Sequence, residues 1–333
     1  MLTEYTSLFL GLILLYAGSE FLVRGAASTA MLFAVRPVMI GLTIVAFATS
    51  APELIVSLVA AVKGSGDISV GNILGSNVIN IALVLGISAL IKPVEINRQI
   101  TKFEIPYMVF ASLIFWVLCL DGTIGYRDGI ILICLLTGFL IYGIKNARDK
   151  DKIRDKDKIK ESINNKKDKD KNLPNDNKGN RLKSILLNTV MLAGGLAGLA
   201  KGADMVVNSA INIATDIGLS QAFIGISVVA LGTSLPELAA SAVAASKGES
   251  DISIGNVVGS NLFNICLVMG TVGLLNPMKI DTSLLNFEFP AMILICLILF
   301  AIAFFCHKIT RKTGFALIIF FIFYLIISYF KTI

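Results

Sequence analysis

Residues 40–86 read IGLTIVAFATSAPELIVSLVAAVKGSGDISVGNILGSNVINIALVLG, and residues 224–270 read IGISVVALGTSLPELAASAVAASKGESDISIGNVVGSNLFNICLVMG. The two segments are identical at 28 of 47 positions without a gap, at a constant offset of 184 residues. The same offset places FEIP at 103–106 onto FEFP at 287–290. A match of this length indicates that the chain contains two copies of one structural unit.

The sequence around the two copies is too apolar for a water-soluble protein. Of its 333 residues, 55% are hydrophobic and only 16% are charged, whereas a soluble domain needs a largely polar surface. Hydrophobic runs of about 18 to 25 residues recur, each long enough to cross a bilayer as a helix. We therefore expect an all-α membrane protein with ten transmembrane helices. The predicted spans cover residues 5–34, 38–61, 69–91, 104–120, 125–144, 184–214, 221–246, 253–275, 288–306 and 314–330.

The order of the spans predicts that the two copies are inverted relative to each other. Five spans separate equivalent positions, so equivalent helices cross the membrane in opposite directions. We expect two inverted-topology five-helix repeats, at residues 1–144 and 184–333, joined by a charged loop at 145–183. Such halves can exchange conformations around a site at their interface, which favours transport. The first run has no basic leader or cleavage site, so we expect it to be retained as a helix.

The loop at 145–183 explains the positive charge of the chain. It holds 15 of the 29 Lys and Arg residues and 8 of the 23 Asp and Glu residues, a local balance of +7 in a chain of net charge +6. Its low-complexity sequence cannot bury a core, so we expect a disordered, solvated linker rather than a nucleic-acid site. Basic loops stay in the cytoplasm. This orientation places both termini outside a plasma membrane.

The polar residues exclude most enzymatic and cofactor chemistry. The five cysteines are scattered through apolar stretches, and the only histidine is His307. Neither a His-based metal site nor a His-dependent triad can be built from one histidine. The chain also lacks paired catalytic aspartates and a phosphate-binding glycine loop. We expect no enzyme activity, no bound cofactor and no obligatory protein partner. The expected surroundings are the lipid bilayer.

Each copy carries one glutamate near the predicted middle of the membrane, in the motif Thr-Ser-x-Pro-Glu. These residues are Glu53 in the second span and Glu237 in the seventh. A charged side chain at this depth costs roughly 2.5 to 3.5 kcal/mol on insertion scales. Two glutamates at repeat-related positions are therefore expected to face a cavity or a bound ion, and hydrogen bonding between helices is the less favoured alternative.

The residues beside each glutamate supply further oxygen atoms. Pro52 and Pro236 remove a backbone donor and free carbonyls of the preceding turn. Thr49 and Ser50 lie four and three residues before Glu53, on the same helix face, as Thr233 and Ser234 do before Glu237. The following span of each half adds a polar stripe at four-residue spacing. The stripes are Asn72, Ser76 and Asn80 in the first copy, and Asn256, Ser260 and Asn264 in the second.

This set of oxygen ligands predicts the kind of ion. Carboxylates, carbonyls, hydroxyls and amides without sulfur or imidazole suit hard cations such as Ca²⁺, and Na⁺ by the same preference. Two glutamates neutralise one Ca²⁺, and monovalent ions can compete for the same oxygens. For Asn72 and Asn256, and for the neighbouring Asn77 and Asn261, hydrogen bonding between helices is an equally good interpretation.

At these motifs the sequence resembles the calcium/cation antiporter superfamily, and most closely its sodium/calcium exchanger members. The resemblance covers nearly the whole chain except the loop. It implies a ten-helix fold in which Glu53 and Glu237 bridge Ca²⁺ and Na⁺ at mid-membrane. It also implies ligation by the carbonyls of Ala46, Thr49, Ala230 and Thr233 and by the hydroxyls of Ser50, Ser76, Ser234 and Ser260.

One position departs from part of this superfamily. Some exchangers carry an aspartate at one of the two positions that are Asn80 and Asn264 here. Only two central carboxylates therefore remain in this chain, and the number of coupled ions does not follow from the sequence. The hypothesis is sodium-driven calcium exchange by alternating access. Calcium/proton exchange at the same glutamates is the alternative, and an ion channel or an intramembrane enzyme is less favoured.

Charged residues also occur in the first and sixth predicted spans. Glu20 and Arg24 are four residues apart and are expected to form a pair within the helix. Asp204 is the repeat equivalent of Glu20, and Lys201 lies three residues before it. We interpret these groups as structural pairs rather than as part of an ion route. Asp67 and Asp251, at span mouths, are interpreted as helix caps or cation attractors outside the central site.

Overall fold

The computed structural model describes residues 2–33, 37–64, 66–143, 178–216, 230–282 and 284–332. Within them, eight helices are long and apolar enough to cross a membrane, and a bent helix pair makes up to nine. The expected all-α membrane fold is therefore confirmed. The helices are α1 (Leu2–Leu32), α2 (Pro37–Thr49), α3 (Ala51–Val62), α4 (Gly66–Ile91), α5 (Ile100–Cys119), α6 (Tyr126–Gly143), α7 (Lys178–Asp216), α8 (Ala230–Thr233), α9 (Leu235–Lys247), α10 (Ser250–Leu275), α11 (Leu284–Phe305) and α12 (Arg311–Thr332).

The described helices fall on the predicted spans, with two differences. Helix α7 begins at Lys178, whereas the sixth span was predicted from residue 184. Hydropathy detects only the apolar part of a helix, so six residues assigned to the charged loop are helical instead. The rest of that loop, 145–177, lies outside the described residues. So do residues 221–229 at the start of the predicted seventh span, of which α8 and α9 form the remainder.

A break in the helix precedes each motif glutamate. Helices α2 and α3 meet at Ser50 with a bend of 42°. Ser50 has φ −83° and ψ 4°, and Ser234, between α8 and α9, has φ −89° and ψ 3°. A proline near the start of the next helix causes each break, since it cannot donate a hydrogen bond into the preceding turn. The two copies thus share the same local backbone at the break.

Helices α4 and α10 form the centre of the molecule. They carry the polar stripes and are the most buried of the candidate spans. Apolar side chains from α5 and α11, including Phe115 and Phe289, pack around them. Each central helix contains a π-helical segment. The segment in α4, Asn80–Val84, begins at a stripe asparagine, and the segment in α10, Phe263–Met269, begins one residue before Asn264. Such segments shift the register of the side chains and are frequent at functional sites.

Two short antiparallel ladders join distant loops. Strand β1 (Val94–Glu95) pairs with β4 (Lys308–Ile309), and β2 (Thr123–Ile124) pairs with β3 (Met278–Lys279). Paired strands must lie on the same side of a membrane. The predicted topology places β1 and β4 inside and β2 and β3 outside, so both ladders agree with it.

Helices α1 and α7 pack closely through glycines. A Cβ atom added to Gly18 would lie 2.8 Å from the carbonyl oxygen of Gly195, and one added to Gly11 would lie 3.0 Å from that of Gly202. Residue numbers rise along α1 as they fall along α7, so the two helices are antiparallel. Small residues allow this approach of backbones.

This glycine contact leads to a stability prediction. Gly195→Val should destabilise the protein, because the new side chain meets backbone atoms of Leu22 and Gly18 at 2.6 to 2.8 Å. Overpacking typically costs about 1–3 kcal/mol. The matched control is Gly194→Val, because Gly194 is exposed with no atom within 4 Å of its added Cβ. Thermal unfolding in detergent should show a lower melting temperature for Gly195→Val alone. Equal melting temperatures would contradict the contact.

Candidate cation site

The two motif glutamates supply the charge of the site, and both are fully buried. Glu53 and Glu237 each lie in the first turn of a helix, α3 and α9, immediately after the break, and both side chains are 0% exposed. No lysine or arginine pairs with either carboxylate among the described residues. The positive ends of the two helix dipoles offset part of the negative charge. Two buried carboxylates without a basic partner favour the binding of a cation.

Hydrogen bonds cross between the two halves at these glutamates. The Ser50 hydroxyl donates to Glu237 Oε1 at 3.5 Å, and the Ser234 hydroxyl donates to Glu53 Oε1 at 3.5 Å. Ser260 Oγ donates to Glu237 Oε1 at 3.4 Å. Each serine at a helix break therefore reaches the glutamate of the other half. The two broken segments therefore meet at one place, an arrangement that the family resemblance implied.

The motif threonines line the same place. Thr49 Oγ1 lies 3.3 Å from Ser260 Oγ and 3.3 Å from Asn256 Oδ1, which joins α2 to α10. Thr233 is almost fully buried, and its side chain hydrogen-bonds the Glu53 carboxyl group. Hydroxyl oxygens thus accompany both carboxylates. They can turn a lone pair toward a cation while the proton is donated elsewhere.

Five buried oxygen atoms of the predicted ligand set have no hydrogen-bond partner among the described residues. Buried polar atoms are almost always hydrogen-bonded, so such a group needs an explanation. The five belong to both halves and comprise two carboxylate, one hydroxyl and two amide oxygens, all of them acceptors that suit Ca²⁺ or Na⁺. They are Glu53 Oε2, Glu237 Oε2, Ser76 Oγ, Asn80 Oδ1 and Asn264 Oδ1.

The amides of Asn80 and Asn264 are held by two further asparagines. Asn80 Nδ2 donates to Asn261 Oδ1 at 3.0 Å, and Asn264 Nδ2 donates to Asn77 Oδ1 at 3.1 Å. Asn77 and Asn261 in turn donate to each other's backbone carbonyl at 3.4 and 3.3 Å. All four side chains are fully buried. Asn77 and Asn261 therefore join the helices and orient the neighbouring amides, which was one of the two interpretations of their sequence.

Asn72 and Asn256 also bind neighbouring helices. Asn72 Nδ2 donates to Ser57 Oγ at 3.1 Å, and Asn256 Nδ2 donates to Ser241 Oγ at 2.9 Å. The sequence analysis did not select Ser57 and Ser241. They lie four residues after the motif glutamates at the same 184-residue offset, which was the signal available for them.

Ala46 and Ala230 are two of the residues whose backbone carbonyls the resemblance implies as ligands. Ala46 O accepts the Ser50 N–H at 3.0 Å and the Thr49 hydroxyl at 3.4 Å, so this carbonyl already accepts two hydrogen bonds. A carbonyl has two lone pairs, so Ala46 would have to exchange one of these donors for an ion. Ala230 is the first residue of α8.

A cavity of about 370 Å³ leads to the helix breaks. Its lining includes Thr49, Pro52 and Thr233 at the helix breaks, and Asp204 and Asn208 of α7. No group of three or more His, Cys, Asp or Glu side chains converges on a metal position within the described part of the chain. The site instead combines two carboxylates with neutral oxygens, and the cavity borders it at Thr49 and Thr233.

Comparisons with known proteins show which family the chain resembles. The sequence profile of a family described as "Sodium/calcium exchanger protein" matches residues 4–145 and 187–330. Sodium/calcium exchanger MaX1 of Methanosarcina acetivorans is 30% identical, over 98% of this chain and 99% of that protein. Inner membrane protein YrbG of Escherichia coli K12 is 33% identical, over 90% and 88%. A solved structure of the sodium-calcium exchanger NCX_Mj, soaked with Na⁺ and Ca²⁺, has a TM-score of 0.80 at 30% identity and covers 98% of both chains.

Proposed function

Because this chain belongs to the sodium/calcium exchanger protein family, we propose that it exchanges Na⁺ for Ca²⁺ by alternating access, with both ions bound at Glu53 and Glu237. The observation that carries this proposal is the pair of fully buried carboxylates, each with one oxygen lacking a hydrogen-bond partner among the described residues. Charge of this kind in an apolar interior favours a bound cation over a dry carboxylate.

The ligand set supports exchange between a divalent and a monovalent ion. One Ca²⁺ neutralises the two glutamates, and neutral oxygens from both halves complete an all-oxygen shell. Na⁺ ions prefer the same oxygens and are bound singly, so Na⁺ and Ca²⁺ compete for the site. The proposed ligands are Glu53, Glu237, Thr49, Thr233, Ser50, Ser234, Ala46, Ala230, Ser76, Ser260, Asn80 and Asn264.

We also propose ten spans in two inverted repeats, residues 1–144 and 184–333. The antiparallel contact of α1 and α7 supports this inversion, because Gly11 and Gly18 are the repeat equivalents of Gly195 and Gly202. A two-fold axis that inverts the halves maps the contact between Gly11 and Gly202 onto the contact between Gly195 and Gly18. Both contacts are present. The proposed orientation has the segment 145–183 in the cytoplasm and both termini outside the plasma membrane. Each strand ladder joins two loops that this order of spans places on the same side.

A gradient-driven flux assay tests this function. Proteoliposomes loaded with Na⁺ and diluted into sodium-free medium should take up Ca²⁺, and equal Na⁺ on both sides should strongly reduce this uptake. The assay is repeated with K⁺ or an acid interior in place of Na⁺. Uptake driven by an acid interior without sodium would favour calcium/proton exchange at the same glutamates. Calcium flux that needs no counter-ion would contradict exchange and favour a channel.

A further inference from the structure

An ion pair links α1 to the end of α9. Lys247 Nζ lies 2.5 Å from Glu20 Oε1, with side-chain exposures of 27% and 21%. Arg24, one turn along α1, also contacts Glu20 Oε1, at 2.6 Å. The sequence predicted the pair with Arg24 but not the pair with Lys247. Because Lys247 is the last residue of α9, this contact holds two separate helices together.

The internal repeat assigns an equivalent to each member of this pair. The 184-residue offset maps Glu20 of α1 onto Asp204 of α7, and Lys247 of α9 onto Lys63 at the end of α3. The backbone at the two lysines is also equivalent. A glycine in the left-handed region follows each one, Gly64 with φ 78° and Gly248 with φ 82°. The N–H of each glycine bonds the carbonyl three residues earlier at 2.9 Å.

The equivalent ion pair is not formed in this structure. Asp204 Oδ2 accepts from Lys201 at 2.9 Å, and Asp204 Oδ1 accepts from Asn208 at 2.8 Å, both on the same helix. Lys63 forms no ion pair with any residue that the structure describes. Asp204 instead lines the cavity that leads to the helix breaks.

The packing around the two positions differs in the same way. Helices α1 and α9 lie together through an apolar contact that includes Leu22, Val23 and Val243. The equivalent helices, α7 and α3, make only slight contact within the described residues. The cavity lies between them, with Ala200 on one wall and Ile55 on the other. One copy of this helix contact is therefore closed, and its repeat equivalent is open.

We propose that Glu20–Lys247 and Asp204–Lys63 are two alternating ion pairs, each of which stabilises one closed end of the transport path. The proposal rests on the alternating-access function. When α7 closes on α3, Lys63 reaches Asp204 beside its helix partner Lys201, as Lys247 now reaches Glu20 beside Arg24. The Glu20–Lys247 pair breaks as α1 leaves α9. The two lysines are thus positioning residues that set the balance between the two states and do not contact the transported ion.

Opposite effects of two matched substitutions test this proposal. Accessibility is measured in proteoliposomes as the rate at which a membrane-impermeant maleimide labels Ala200→Cys in the cavity wall, with the parent chain as background for the five native cysteines. Lys247→Gln should favour closure of the cavity and slow labelling, by roughly twofold to fivefold for a partly exposed ion pair. Lys63→Gln should not slow it, and adding Lys63→Gln to Lys247→Gln should restore the labelling rate toward that of the Ala200→Cys protein.

The outcomes separate this proposal from the proposed function. If the parent protein exchanges sodium for calcium but Lys247→Gln labels at the unchanged rate, or if Lys63→Gln slows labelling as much, the alternating pairs are wrong and the exchange function stands. If the labelling rates change as expected but no sodium-driven flux is found, the ion specificity is wrong and the alternating pairs stand.

A cross-linking experiment examines the state in which Asp204 and Lys63 meet. Lys63→Cys with Asp204→Cys should be joined by a short bifunctional maleimide, which spans more than the separation allowed for a disulfide. Cross-linking should block sodium-driven uptake by trapping the cavity closed. The matched control pair, Glu20→Cys with Lys247→Cys, should be joined in the conformation described here. A control pair that is joined while the Lys63/Asp204 pair never is would overturn the proposal.

Discussion

Replacing Glu53 or Glu237 with glutamine is expected to reduce sodium-driven calcium uptake by a factor of roughly 10²–10³. Glutamine keeps the size of the side chain and its hydrogen-bonding oxygen but removes one of two negative charges. A Ca²⁺ ion would then carry one uncompensated positive charge in a buried site. Leaving a buried charge without its partner costs about 3–5 kcal/mol, and every 1.4 kcal/mol is about tenfold in binding.

The measurement compares uptake by equal amounts of folded protein, together with Ca²⁺ binding in detergent by calorimetry. The matched control is Glu288→Gln, a partly buried acid outside the site that accepts hydrogen bonds from Tyr324 and Ser328 at 2.5 and 2.6 Å. This control should retain uptake, because glutamine still offers an acceptor there. Unchanged uptake in both Glu53→Gln and Glu237→Gln would show that the ion binds elsewhere.

The sequence was sufficient for the features that depend on local chemistry. Hydropathy located the helices because lipid requires long apolar segments with satisfied backbones. Proline located the helix breaks at Ser50 and Ser234 because it disrupts the preceding turn wherever it occurs. The repeat related the two halves residue by residue, so the structure was expected to bring Glu53 and Glu237 together, and the crossed serine contacts agree.

The features that the sequence did not predict depend on contacts between distant residues. The pair of Lys247 with Glu20 joins residues 227 positions apart, and no periodicity within one helix indicates it. The mutual bonding of Asn77 and Asn261 requires α4 and α10 to meet at the centre. An asparagine in an apolar helix indicates only that some partner exists. Likewise, the charged start of α7 at Lys178 has no hydropathy signal, because helical structure continues beyond the membrane.

The sequence repeat did not predict a structural difference between the two halves. Two identical sequence motifs predict two equivalent environments, yet α1 lies against α9 while a cavity separates α7 from α3. Sequence similarity specifies which contacts each half is able to make, whereas one conformation realises only one set of them. The proposed alternating access requires such an asymmetry, because a site that is open to one side of the membrane must be closed to the other.

Gly259→Ala is expected to lower sodium-driven uptake by about tenfold or more. A Cβ atom added to Gly259 would lie 2.7 Å from Ala46 Cβ and 2.7 Å from the Leu42 carbonyl oxygen, both in α2. Backbone atoms cannot turn away, so α10 must move from α2. Thr49 and Ser260, whose hydroxyl oxygens are 3.3 Å apart across this contact, would separate with the helices. A displacement near 1 Å in a positioned site can lower a rate by about 10²-fold.

Gly255→Ala separates this effect from a general loss of stability. Gly255 lies one helical turn before Gly259 in the same contact, and its added Cβ would meet the Val38 carbonyl oxygen at 2.8 Å. Both variants should therefore have lower melting temperatures in detergent. Uptake per folded molecule should fall more for Gly259→Ala, because that glycine adjoins Ser260 whereas Gly255 is five residues from it. Equal losses of uptake in the two variants would show that packing between α2 and α10 acts only through stability, and that the position of Thr49 against Ser260 does not limit transport.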